Sequence, residues 1–244
     1  MLRLILMIGW LVAGTPLLAQ EKNIDHREQT WLAYFNQTRF TQRSGMWIDL
    51  HARLTDRFVN QMSISILRAG YVYYLTDNTR LTAGYGYVTQ YNPSPGVDVP
   101  EHRPWQQIQW FDRRKGYNLM QYFRVEERYR RKTEAGALLD EYGFNWRFRY
   151  AVALTIPLKG REMAPGVPFL FLNDEVHINA GKEIVNNYFD QNRLFVGFGY
   201  QFTQSLNAQL GYLNVFQQLP ASKQFVNVNA VRLFVFHNLN YFKP

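Results

Sequence analysis

The stretch Tyr142–Ile156, YGFNWRFRYAVALTI, decides how the rest of the chain reads. Its even positions are Tyr142, Phe144, Trp146, Phe148, Tyr150, Val152, Leu154 and Ile156. Its odd positions include Asn145, Arg147, Arg149, Ala151, Ala153 and Thr155. Successive side chains of a β-strand point to opposite faces. One face of this segment is therefore wholly apolar and aromatic, and the other carries two arginines.

The same alternation recurs along the chain. Met46, Ile48, Leu50, Ala52 and Leu54 oppose Trp47, Asp49, His51 and Arg53. Leu194, Val196, Phe198, Tyr200 and Phe202 oppose Phe195, Gly197, Gly199 and Gln201. Within Tyr122–Arg130 the even face is nearly all charge: Arg124, Glu126, Arg128 and Arg130. Short turn signals (Thr76–Asn78, Asp112–Gly116, Thr203–Ser205) tend to alternate with longer ones (Asn92–Pro104, Lys132–Asp140, Ala180–Asn192). Lys159–Pro168 is long where a short one belongs.

Composition narrows the class. The chain has 244 residues, 47% hydrophobic and 16% aromatic, and a net charge of +8. That is too apolar for disorder, and the length suits one large domain or two small ones. No cysteine is present, which excludes a disulfide framework, a thiolate metal site and a lipoprotein anchor. Residues 1–20 read MLRLILMIGWLVAGTPLLAQ: Arg3, then an apolar run, then Gly14, Pro16 and Ala19. This is the order of a secretory signal peptide. We expect residues 1–19 to be that signal, cleaved after Ala19 or Gln20, and 20–244 to form a single domain. Losing Arg3 leaves +7.

Beyond residue 20 no apolar run approaches the length of a spanning helix. Alternating strands of about 10–15 residues exceed the mode of about 5–6 in soluble sheets. With aromatics gathered toward their ends, they suit a lipid-facing barrel, apolar outside and polar within. The expected fold is all-β: an antiparallel up-and-down transmembrane β-barrel in the outer membrane, reached by export through the inner membrane. Runs occur near 30–39, 46–55, 61–75, 79–91, 105–111, 117–131, 141–157, 168–179, 193–202, 205–216 and 225–239. Single-chain bacterial barrels have even strand numbers, so ten strands are expected and twelve are the alternative, with 105–111 too short to span.

Several strings also fit a known pattern. Glu101–Gln107 (EHRPWQQ) matches E-x-R-x-W-Q-Q, Arg124–Arg128 (RVEER) matches R-x-E-x-R, and Phe189–Arg193 reads FDQNR ahead of a G-x-G-Y at Gly197–Tyr200. With Gly211–Asn214 and the ending His237–Leu239, the chain resembles an uncharacterised bacterial domain-of-unknown-function family common in the Bacteroidetes. The resemblance implies a Gram-negative outer-membrane barrel and brings no activity with it.

The lumen candidates are Arg124, Glu126, Arg128, Arg130, Arg147, Arg149, Glu175, His177 and Arg193. Such a set either packs a narrow interior with paired charge or, being rich in arginine, favours anions. The function expected is a barrel of unassigned role with a narrow, porin-like pore for small anionic solutes or acidic oligosaccharides. The alternatives are a closed structural or surface-binding barrel and, third, a membrane-embedded enzyme. Glu101, Arg103, Trp105, Gln106, Asp190, Gln191 and Asn192 stand where long loops enter strands, and form a candidate rim motif. No serine lies in a G-x-S-x-G setting and no histidines have metal-ligand spacing. We therefore expect no enzyme, catalytic residue, metal or cofactor. Expected partners are outer-membrane lipid, lipopolysaccharide, the barrel assembly machinery and small anionic solutes, but no nucleic acid.

Overall fold

A computed structural model describes residues 22–92 and 96–242. The expected signal peptide and its cleavage site lie outside the described residues. The strands are β1 (Asn23–Arg39), β2 (Ser44–Thr55), β3 (Gln61–Tyr74), β4 (Thr79–Gln90), β5 (Val99–Arg114) and β6 (Tyr117–Glu134). They continue as β7 (Ala137–Pro157), β8 (Pro168–Ala180), β9 (Phe189–Gln201), β10 (Leu206–Gln218) and β11 (Gln224–Asn240). Each pairs with its chain neighbours, and β1 closes on β11, making one closed barrel.

Among the described residues the barrel therefore has eleven strands, which corrects the expected ten and the alternative twelve. All sequential pairs are antiparallel, but the closing pair is parallel, in register from Asn23↔Gln224 to Arg39↔Asn240. An odd count forces this seam, because the first and last strands then point the same way. A parallel ladder pairs the backbone groups of both strands as an antiparallel one does, so closure needs no even number. The segment thought too short, 105–111, lies inside the sixteen-residue β5. Its length is masked in the sequence by Pro100 and Pro104. Proline carries no N–H for the ladder, and the β5–β6 pairing is interrupted at Arg103 and Pro104 before resuming at Trp105↔Glu126.

With eleven strands the chain enters at one end of the barrel and leaves at the other. Connections 40–43, 75–78, 115–116, 158–167 and 202–205 lie at the C-terminal end, and 56–60, 91–98, 135–136, 181–188 and 219–223 at the N-terminal end. Lys132–Asp140, expected as a long connection, closes on Ala135 (φ 48°) and Gly136 (φ 80°). Positive φ at both central residues is the two-residue hairpin geometry that lets β6 and β7 run on as strands.

The faces are arranged as the alternation implies. Apolar residues point outward: Phe198 is 65% exposed, Leu210 54% and Leu67 52%. The intervening residues are buried, Arg147 and Arg149 among them. Two glycine positions admit large rings into the lumen. A Cβ on Gly84 would lie 2.9 Å from Trp105 Cε2 and 2.8 Å from Gly70 Cα, and one on Gly199 would collide with the Phe169 ring. Trp105, wholly buried, thus lies flat on the glycine floor of β3 and β4.

Candidate functional site

Arginines and carboxylates from neighbouring strands meet in a layer across the barrel. Glu126 on β6 is at its centre and fully buried. Arg147 Nε donates to its Oε2 at 2.8 Å and Arg149 Nη1 to its Oε1 at 2.7 Å. Arg124, Arg103 and Arg68 bring guanidinium nitrogens to 3.7, 3.8 and 3.9 Å of the same carboxylate. These contacts follow from strand alternation, since Glu126 faces Arg147, and Arg124 faces Arg149, in the β6–β7 register.

Further carboxylates brace the arginines around it. Asp49 accepts from Arg68 Nε at 2.8 Å, Trp47 Nε1 at 2.5 Å and lies 2.8 Å from His51 Nε2. Glu101 holds Arg103 at 2.7 Å and, through both oxygens, Arg128 at 2.8 and 2.9 Å. Glu175 binds Arg149 at 2.8 Å, accepts from the Tyr122 hydroxyl, and sits 3.1 Å from His177 and 3.5 Å from Arg193. Asp190 accepts from Arg147 at 3.2 Å. A β-bulge supplies that last contact. In β8–β9 the register jumps between His177↔Gln191 and Ile178↔Phe189, and the extra residue, Asp190, faces inward together with Gln191.

Toward the C-terminal end the lumen opens into a cavity of about 560 Å³. Its mouth is formed by residues such as Asp77, Arg113 and Asn240, and Arg53, Arg68, Arg103, Arg124, Arg147, Arg149, Arg193 and Arg232 reach it from within the barrel. Of the buried carboxylates Asp49, Glu101, Glu126, Glu175 and Asp190, Glu175 alone lines it. The arginines thus stand between the other carboxylates and the cavity. Arg53 Nε, Arg124 Nη1 and Arg232 Nε are buried without a hydrogen-bond acceptor. Aromatic faces steady them instead: Arg53 lies 3.6 Å above Trp31, Arg124 4.3 Å above Trp105, and Arg232 3.9 Å from the Phe195 centroid. The opposite half of the barrel is filled by buried side chains, including Val99, Asn179, Val226 and Val228.

Among the sequence-level candidates, Arg124, Glu126, Arg147, Arg149, Glu175, His177 and Arg193 come together in this layer, and Arg128 joins it through Glu101. Arg130 shares their face but is exposed at the N-terminal rim. The rim motif does not form a rim. Glu101, Arg103 and Trp105 are buried in the lumen with Asp190 and Gln191, whereas Gln106 and Asn192 face outward. There Asn192 donates to Asp174 at 2.7 Å. Both strings do stand where long connections enter β5 and β9, but as strand residues, most of whose side chains turn into the lumen. Asp49, Arg53, Arg68 and Arg232 were missed as lumen groups. The signal for Asp49 and Arg53 lay in the alternation of Met46–Leu54, whose polar face carries both. Among the described residues no group of three His, Asp or Glu side chains is placed to hold a metal ion.

Residues 28–226 match the family described as Protein of unknown function (DUF2490). This agrees with the resemblance to an uncharacterised family. No curated protein and no solved structure matches the chain.

Proposed function

We propose that this chain, which belongs to the DUF2490 family of proteins of unknown function, is an outer-membrane barrel that binds small anions in a blind vestibule. The location rests on the outer surface. Trp146 to Ile156 on β7 spans about 25 Å at a tilt of about 40°, the height of a lipid-facing band. Soluble proteins rarely expose so large an apolar surface, which here is interrupted by outward polar residues such as Asp174 and Asn192, hydrogen-bonded to each other. Closure on a parallel seam also leaves no strand edge unpaired in lipid.

The observation that carries the function is the uneven division of charge. Ten arginines (53, 68, 80, 103, 124, 128, 147, 149, 193 and 232) share the interior with five carboxylates, four of which lie behind the arginines as seen from the cavity. Guanidinium groups lining a cavity are suited to carboxylate and similar anions. This favours a binding barrel over the narrow pore expected at first, because the ion layer and the packed N-terminal half stand across the path.

The test uses mature protein extracted from the outer-membrane fraction and titrated calorimetrically with thiocyanate, a small, weakly hydrated anion. Saturable binding is expected, weakened about tenfold by Arg124→Gln combined with Arg232→Gln. Recovery from the soluble periplasmic fraction would overturn the location. Absence of saturable anion binding would overturn the function.

A further inference from the structure

The walls of the vestibule differ from its floor, and the order is the same on separate strands. On β11, passing inward from the mouth, Phe236 and Phe234 precede Arg232. On β6, Met120 and Tyr122 precede Arg124. Part of the remaining wall is apolar as well. Phe35 stacks on Phe236 with centroids 4.7 Å apart and planes 6° apart, and leans on Phe234 at 5.3 Å. Phe169 and Phe171 extend it from β8. An apolar half-collar thus lies between solvent and a cationic floor, while Gln37, Arg80, Gln109 and Gln209 line the rest of the wall.

A ligand that satisfied only the floor would leave the collar wet, and an apolar ligand would leave the floor unpaired. Arg124 is 4% and Arg232 7% exposed, both line the cavity, and each holds one buried donor nitrogen without a hydrogen-bond acceptor. A buried donor without a partner is costly. From this order we infer that the vestibule is a site for an organic monoanion with an apolar body, such as an aryl-alkanoate or a medium-chain fatty acid. Its carboxylate meets Arg124 and Arg232, and its body lies against Phe35, Phe234 and Phe236. This rests on the anion-binding reading above and adds the chemistry of the ligand to it. The volume of about 560 Å³ is within the range of pockets that enclose small organic molecules.

The test compares three probes on folded mature protein by calorimetry: 4-phenylbutyrate, acetate and the neutral 4-phenylbutyramide. Phenylbutyrate is expected to bind one site at least about tenfold more tightly than acetate, a difference of about 1.4 kcal/mol, and the amide not at all. Arg232→Gln is expected to weaken phenylbutyrate about tenfold, and Phe236→Ser severalfold, while Phe236→Leu retains binding. Should Phe236→Ser fail the heat-modifiability check for folding, the probe series and Arg232→Gln decide alone. Equal affinity for phenylbutyrate and acetate overturns this inference and leaves anion binding standing. Equal affinity for phenylbutyrate and its amide, or no binding by any probe, overturns both.

Discussion

A single carboxylate shows how the interior is held. Glu126 has no exposure, and guanidinium groups of Arg68, Arg103, Arg124, Arg147 and Arg149 lie within 4 Å of it. Removing one partner of a buried ion pair leaves the rest uncompensated, at a cost of about 3–5 kcal/mol. Glu126→Gln is therefore expected to destabilise the barrel by that amount, read as a lower urea midpoint for unfolding in lipid. Arg130→Gln, at an exposed rim position on the same strand face, is expected to stay within about 0.5 kcal/mol of the parent. Equal effects of the two would mean that the layer does not hold the fold. Alternation alone marked Glu126, Arg147 and Arg149 as neighbours in kind. It did not reveal that Asp190 turns inward, because a bulge shifts the side-chain period and depends on the partner strand.

Among the elements, the seam between β1 and β11 is the least expected feature and the most open to direct test. Leu32 and Leu233 are paired across it and both face outward. Adjacent strands lie about 4.8 Å apart, within the Cα separation a disulfide tolerates. The chain has no native cysteine, so Leu32→Cys with Leu233→Cys is expected to crosslink on oxidation. The product would be a nearly circular unfolded chain with altered gel mobility. Leu50→Cys with Leu67→Cys, paired across β2 and β3, is the positive control. Crosslinking of the control pair only would exclude the eleven-strand closure. The count itself was legible, since eleven runs stand in the sequence. What removed one was a rule about parity, joined to prolines that made β5 look too short. Local pattern was the better witness here, because the hydrogen-bonding of a closed sheet does not depend on how many strands it has.

At the scale of the molecule, the sequence showed which face of each strand is apolar, and hence that aromatic residues face out and arginines in. It could not show how far the arginines reach. Whether side chains meet across a lumen depends on barrel radius, and radius depends on strand number and stagger, neither of which a single strand encodes. In the folded chain they do meet, and on the function proposed above the interior is a vestibule backed by an ion layer rather than a passage. The measurement that tests this most directly is current through planar bilayers containing the folded protein. No steady conductance is expected at either polarity, in salt concentrations that leave the barrel folded. Reproducible, stepwise, anion-selective currents from the unmodified protein would contradict it.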